Sequence, residues 1–171
     1  MARVFDLKLL AADPYVNAVE LGYVGARKVP LDVLLRESDF VVTIPLLNEE
    51  TRHLIGAPQF ALMKPSAYFI NVSRGPVVDE PALIAALKSG RIAGAALDVF
   101  EQEPVDPANP LLAMNNVIVT PHSLCWTDEC FHNMAVTGLA SIVDALAGRV
   151  PEFVVNREVL DHPRVRDWLR A

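Results

Sequence analysis

Short apolar runs alternate with helix-like segments along this chain, and that alternation constrains the fold more than any other feature. The apolar runs lie at residues 7–12, 39–44, 67–72, 92–99 and 116–120, and residues 25–29 are compatible with a further, weaker strand. Leu31, Leu34 and Leu35 have helical spacing, and Asp79 is a suitable N-cap for a helix that ends before Gly90. Strands that are apolar throughout and separated by helices form parallel sheets covered on both faces. We therefore predict an α/β fold built on a doubly wound parallel sheet.

The chain changes character near Gly148. Before this glycine, apolar residues recur every three or four positions, and Thr127 suits the N-cap of one long helix. After it, residues 150–171 combine prolines, mixed charges and a tryptophan. We expect a main domain over residues 1–149 and a C-terminal tail over residues 150–171 that packs elsewhere.

Composition argues against several classes of partner. The formal net charge is −6 over 171 residues, whereas nucleic acids and anionic membranes are usually met by clustered Lys and Arg. No apolar run reaches the roughly 18 residues that cross a bilayer, and the N-terminal stretch lacks a signal-peptide pattern. Cys125 and Cys130 fall in a segment that we predict to be helical, where a five-residue gap favours neither a disulfide nor a metal pair. We expect a cytoplasmic protein that binds no nucleic acid, membrane or metal.

Polar residues stand directly after the predicted strands, where open parallel sheets bind their ligands. Arg74 and Gly75 follow one strand, and an arginine there offers a fork for a carboxylate or keto oxygen, or pairs with a surface acid. Asp98 stands at the end of the next strand, Glu103 lies in the loop after it, and His122 follows the last strand. Such residues are often plain loop residues, but a histidine beside an acid is also suited to general acid–base catalysis.

Three motifs stand in a recognisable order. They are N-V-S-R-G at 71–75, A-L-D-V-F-x-x-E-P at 96–104 and T-P-H at 120–122. This ordered set resembles the D-isomer-specific 2-hydroxyacid dehydrogenases, over nearly the whole chain. The resemblance implies a Rossmann-like NAD-binding domain, NAD as cofactor, and oxidoreductase activity on the CH–OH group of a D-2-hydroxy acid or on a 2-keto acid. It also implies a homodimer and a small-molecule substrate.

The resemblance assigns catalytic roles to three of these residues. Arg74 is implied to orient the substrate's carboxylate and keto group. Glu103 is implied to hydrogen-bond the catalytic imidazole, and His122 to give or take the hydroxyl proton. This arrangement is chemically sensible, because a carboxylate partner favours a protonated imidazole that can donate to a ketone.

Cofactor contacts are implied at further positions. Asp13 matches the acid that binds the adenosine ribose hydroxyls, which favours NAD because an acid there repels the 2′-phosphate of NADP. A plain Asp-Pro turn is the alternative for that position. The implied cofactor-binding set is completed by Pro45, Val72, Ser73, Arg74, Asp98 and His122, with Asp98 placed for the carboxamide.

The sequence departs from the family pattern in ways that affect the fold. No G-x-G-x-x-G turn occurs in it, and the strand that precedes this turn is central in a doubly wound sheet. We therefore expect an incomplete, N-terminally truncated domain whose strands at 7–12 and 39–44 lack a common neighbour and leave open edges. The family carries its substrate domain largely ahead of this region, and we expect only the tail to belong to that domain here. Leu124 and Trp126 stand where small residues are usual.

Two alternatives to a working dehydrogenase domain remain. One is a non-catalytic NAD-sensing or protein-interaction module, since such modules can keep the same three catalytic positions. The other is an inactive truncated gene product. We expect no turnover above background from the chain by itself.

Overall fold

A computed structural model describes residues 2–169, with side chains from residue 4 onward. Its strands form two parallel sheets with the orders β1-β2 and β3-β4-β5-β6. The strands are β1 (Leu9–Ala11), β2 (Ala26–Lys28), β3 (Phe40–Thr43), β4 (Tyr68–Asn71), β5 (Gly94–Leu97) and β6 (Val117–Val119). The break falls between β1 and β3, the two strands predicted to lack a common neighbour. The predicted α/β fold, with its incomplete doubly wound sheet, is confirmed.

The helices connect successive strands or follow the last one. They are α1 (Ala18–Tyr23), α2 (Leu31–Glu37), α3 (Ala57–Phe60), α4 (Glu80–Lys88), α5 (Asp128–Leu146) and α6 (Pro163–Trp168). Short 3-10 helices lie at Ala2–Phe5, Gly75–Val77, Pro110–Ala113 and Arg157–Asp161. The predicted N-cap of α4 is confirmed, because the carboxylate of Asp79 accepts a hydrogen bond from the backbone N–H of Ala82 at 3.1 Å. Gly90, at a φ of 68°, lies just beyond the end of the same helix, in the left-handed conformation that glycine adopts without strain.

The core lies on one face of the four-stranded sheet. Phe69 of β4 meets Phe60 of α3 edge to face, with ring centroids 5.3 Å apart, and both side chains are fully buried. Burying each such ring stabilises the fold by about 1.5–3 kcal/mol. On the opposite face Phe40, Val42 and Ile118 are exposed, so the expectation of two covered faces is wrong for these residues. Helices α2, α3 and α4 contribute buried residues to this core.

The chain divides into two compact units, residues 1–123 and 124–171. The first unit holds both sheets and the helices from α1 to α4, and the second holds α5 and α6. The prediction of a main domain over residues 1–149 and a tail over residues 150–171 concerns a different boundary and stays a prediction.

Within the second unit, α5 begins where the sequence predicts. The hydroxyl of Thr127 accepts a hydrogen bond from the backbone N–H of Cys130 at 3.1 Å. Cys125 therefore precedes the helix, and the prediction that both cysteines lie in one helical segment is wrong. Both thiols are free, and burial together with the neighbouring Cys125 raises the pKa of Cys130. Across the described residues, no helix is both long and apolar enough to span a membrane.

Candidate functional site

Asn71, the last residue of β4, organises the turn that carries Arg74. Its side chain is buried, and its Oδ1 accepts hydrogen bonds from the Thr43 hydroxyl and from the backbone N–H of Ser73, both at 3.1 Å. Its Nδ2 donates to the backbone oxygen of Arg74 at 3.1 Å. Three hydrogen bonds from one buried amide thus fix the turn after β4 against the end of β3. Sequence reasoning did not single out Asn71 or Thr43, although Asn71 opens the N-V-S-R-G motif.

Arg74 lies in this turn, directly before Gly75. Its Nη1 donates to the backbone oxygen of Ser73 at 2.7 Å. The hydroxyl of Ser73 donates in turn to the backbone oxygen of Pro45, which joins the loop after β3 to the loop after β4. A cavity of about 510 Å³ lies here, lined by Ile44, Pro45, Leu46, Leu47, Val72, Ser73 and Arg74. The structure therefore brings together four of the predicted site residues: Pro45, Val72, Ser73 and Arg74.

Asp98 joins the ends of β5 and β6. It is buried, and its Oδ1 accepts hydrogen bonds from the Thr120 hydroxyl at 2.6 Å and from the backbone N–H of Ser123 at 2.9 Å. Residues 120 and 123 flank His122, so Asp98 fixes the loop that presents the imidazole. The side chain of Asp98 is thus held inside the site rather than exposed as a plain loop acid.

Glu103 and His122 form a direct pair. The Nδ1 of His122 lies 2.8 Å from the Oε2 of Glu103, while the backbone N–H of Phe100 donates to the Oε1 of Glu103 at 3.0 Å. Burial alone would raise the pKa of Glu103. The hydrogen bonds from His122 and Phe100, with the charges of His122 and Arg74, outweigh burial and hold that pKa below its usual value. Glu103 is therefore an ionised acceptor at neutral pH.

Asp13 lies apart from this group, at the end of β1 in the two-stranded sheet. Its Oδ1 accepts hydrogen bonds from the backbone N–H groups of Tyr15 at 2.8 Å and Val16 at 3.0 Å, and these bonds lower its pKa. A carboxylate offers about four acceptor positions, so about two remain for a ligand. Beside it lies a mainly apolar cavity of about 490 Å³, lined by Ala12, Asp13, Pro14, Lys28, Val29, Pro30, Leu31 and Leu54.

One further pair was not predicted from the sequence. The Nε2 of His53 lies 2.6 Å from the Oε1 of Glu101. The two residues are 48 positions apart, and no motif or periodicity links them. Among the residues that the structure describes, no group of three His, Cys, Asp or Glu side chains is arranged to hold a metal ion.

Known proteins resemble this chain in sequence and in fold. Residues 1–123 match the D-isomer specific 2-hydroxyacid dehydrogenase, NAD binding domain. Glyoxylate/hydroxypyruvate reductase B of Shigella boydii is 55% identical over 137 residues, which are 80% of this chain and 42% of that protein. The chain thus spans less than half the length of this relative.

Solved structures show the same fold. D-lactate dehydrogenase of Lactobacillus jensenii, crystallised with NAD+, superposes with a TM-score of 0.82 at 36% identity, over 91% of this chain and 50% of that one. The holo form of Rhodotorula graminis D-mandelate dehydrogenase superposes with a TM-score of 0.80 at 35% identity, over 88% of this chain and 44% of that one. The family match covers residues 1–123, more than half of the chain, and the chain therefore belongs to the D-isomer specific 2-hydroxyacid dehydrogenase family.

Proposed function

We propose that this chain provides the cofactor-binding part of an NAD-dependent oxidoreductase that reduces a 2-keto acid or oxidises a D-2-hydroxy acid. The observation that carries the proposal is the 2.8 Å contact between His122 and Glu103. The pair lies at the same end of the four-stranded sheet as Arg74. An oriented imidazole and a permanent cation are the groups that proton transfer to a 2-keto acid requires.

His122 serves as the general acid and base in this proposal. A carboxylate only accepts hydrogen bonds, so the Nδ1 of His122 carries the proton shared with Glu103. The Nε2 atom is then the position from which the ring gives a proton to the keto oxygen during reduction, or takes one from the hydroxyl during oxidation. Ionised Glu103 accepts the hydrogen bond from Nδ1 and so holds the ring's orientation.

Arg74 positions the substrate in this proposal. Its guanidinium is always charged, and its planar fork matches a carboxylate or a carboxylate and an adjacent keto oxygen. The turn that carries it is fixed by Asn71 and by the packing of Gly75. A fixed fork holds the keto carbon in one orientation, which is the basis of selectivity for one enantiomer of the hydroxy acid.

The residues present fit NAD at two places. Asp13 retains acceptor positions for a ribose diol, and the adjoining cavity of about 490 Å³ suits an adenine ring in size and apolar lining. Val72, Ser73 and Arg74 would face the nicotinamide side, with Asp98 toward the carboxamide. Pro45 would lie near the adenosine half. When bound, the cofactor supplies or accepts the hydride.

The name of one relative supports a proposal for the substrate class. A 2-keto acid as small as glyoxylate or hydroxypyruvate is the substrate that we propose, because the reductase from Shigella boydii is named for these acids. We also propose that the complete protein is a cytoplasmic homodimer. The net charge of −6 is consistent with this setting, since it does not favour nucleic acid or anionic membranes as partners.

A chimeric enzyme tests the proposal. In the chimera, this chain replaces the region of the Shigella reductase that it matches. NADH oxidation is then measured with glyoxylate or hydroxypyruvate as the substrate. We expect the chimera to be active and His122→Asn to lower kcat by about 10²- to 10⁴-fold, because the proton donor is lost. His132→Asn, which changes an exposed histidine of α5, is the matched control.

The outcomes separate the proposed function from its alternative. If His122→Asn has the same kcat as His132→Asn, His122 is not the general acid. If the folded chimera binds NADH but reduces no 2-keto acid, the NAD-sensing module is favoured instead.

A further inference from the structure

The Arg74 turn and the loop after β5 are in direct backbone contact. A Cβ atom added to Gly75 would lie 1.8 Å from the backbone oxygen of Phe100 and 2.4 Å from the backbone nitrogen of Glu101. Real Cβ atoms do not approach backbone atoms so closely, and Gly75 therefore allows the two segments to meet. Because of this contact, a displacement of residues 100–101 would also displace Gly75, the residue that follows Arg74.

Two glutamates clamp the backbone at this contact. The Oε2 of Glu80 accepts a hydrogen bond from the backbone N–H of Glu101 at 3.0 Å, and the Oε2 of Glu101 accepts one from the backbone N–H of Glu80 at 3.3 Å. Asn109 donates to the other carboxylate oxygen of Glu80 at 2.7 Å. This reciprocal pair joins the first residue of α4 to the loop after β5.

His53 completes the clamp from a third segment. Its Nε2 donates to the Oε1 of Glu101 at 2.6 Å, and its backbone N–H donates to the backbone oxygen of Pro76 at 2.8 Å. The backbone of His53 has a φ of 52°, a left-handed conformation that is uncommon outside glycine. The imidazole thus reaches Glu101 from a turn that is itself bound to the segment after Arg74.

The clamped loop also carries Glu103. The backbone N–H of Phe100, the residue before Glu101, donates to Glu103 at 3.0 Å, and Glu103 contacts His122 at 2.8 Å. We propose that Glu80, Glu101 and His53 are positioning residues that hold the Phe100 amide in place and so direct Glu103 toward His122. The inference rests on the proposed function only for the role of His122, since the network itself is a matter of geometry.

NMR on the 171-residue chain tests the network without any activity measurement. The readouts are hydrogen exchange of the Phe100 amide and titration of the Glu103 carboxyl carbon in protein labelled with ¹³C-glutamate. We expect Glu101→Ala to speed exchange of the Phe100 amide by about tenfold or more, because the clamp no longer restricts local opening. We also expect the pKa of Glu103 to rise toward its ordinary value as the Phe100 hydrogen bond weakens.

Two further variants make the test decisive. His53→Asn removes the contact with Glu101 but keeps a residue that tolerates positive φ, so the turn is retained; it should change both readouts in the same direction and by less. Gln102→Ala, an exposed neighbour in the same loop, is the control. The inference is overturned if Glu101→Ala and His53→Asn both show the same Phe100 exchange rate and the same Glu103 pKa as Gln102→Ala. If Glu101→Ala does not fold, His53→Asn decides the test. The inference is then overturned if His53→Asn and Gln102→Ala give the same exchange rate for the Phe100 amide and the same pKa for Glu103.

Discussion

At the scale of single residues, the site depends on polar groups that each join two segments of chain. Asn71 joins the ends of β3 and β4, Asp98 joins the ends of β5 and β6, and Glu103 connects the loop after β5 to His122. Each of these groups satisfies backbone or side-chain donors that would otherwise lose hydrogen bonds on folding. Removing one of them therefore affects both the local geometry and the free energy of folding.

Glu103 gives a prediction for the pH dependence of stability. Its pKa is lowered in the folded chain, so its ionised form stabilises the fold above the ordinary glutamate pKa of 4.5. This contribution is lost as the pH falls through the lowered, folded value. We expect the difference in unfolding free energy between the wild type and Glu103→Gln to be greatest near neutral pH and to shrink in acid. Urea unfolding across that range measures it.

The exposed Glu49 provides the control for this measurement. We expect Glu49→Gln to change the unfolding free energy by an amount that depends less on pH than for Glu103→Gln. Equal pH dependence of the two variants would contradict the assigned role of the hydrogen bonds to Glu103.

Residues that directly follow strands were accessible to sequence reasoning, and residues that depend on distant contacts were not. Arg74, Asp98, Glu103 and His122 were predicted as site candidates because parallel strands place their C-terminal ends at one edge. The structure places all four after β4, β5 and β6. His53 and Glu101 were missed because only the tertiary fold brings them together. The catalytic and cofactor roles of the candidates remain proposals.

At the scale of elements, α4 links helix capping to the site. Asp79 caps its first turn, and Glu80, its first residue, clamps the loop after β5. Both acids also lie at the positive end of the helix dipole. The same short segment therefore stabilises the helix and fixes the loop that carries Glu103.

The cap of α4 gives a second prediction. We expect Asp79→Ala to lower the unfolding free energy by about 1 kcal/mol, because the N–H of Ala82 loses its acceptor. Asp79→Asn keeps a capping side chain and should retain most of the stability. Urea unfolding followed by circular dichroism compares the two variants. Equal losses for Ala and Asn would show that the side-chain cap does not stabilise the helix.

Elements with a strong local signal were predicted well. The five apolar runs correspond to β1 and β3 through β6, and the weaker strand expected at 25–29 corresponds to β2. The caps at Asp79 and Thr127 mark the observed starts of α4 and α5. Helices α1 and α3, with six and four residues, were not predicted. Isolated helices of that length are marginal, and their formation depends on tertiary contacts more than on sequence pattern.

At the scale of the whole molecule, the sheets leave apolar surface and strand edges open. Val42 and Ile118 are aligned through the register of four strands on the exposed face, with exposed fractions of 51% and 70%. β1 and β3 each have one edge without a neighbouring strand in the described sheets. Such surfaces promote association between chains.

The open apolar face predicts that the chain associates with itself. We expect the sedimentation coefficient of the chain to rise with concentration, and Val42→Lys to weaken that rise by placing a charge on the exposed face. Val155→Lys, at a fully exposed position in the second unit, is the control. If the two variants sediment alike across a concentration series, this face does not mediate association.

The break between the two sheets separates the proposed contact with the cofactor ribose from the proposed proton-transfer groups. Asp13 and its cavity belong to the two-stranded sheet, whereas Arg74, Glu103 and His122 stand on the four-stranded one. Within the part of the chain that the structure describes, no strand pairing joins the two sheets. On the proposed roles, the choice between dinucleotides can be re-engineered at Asp13 while the proposed proton-transfer groups stay as they are.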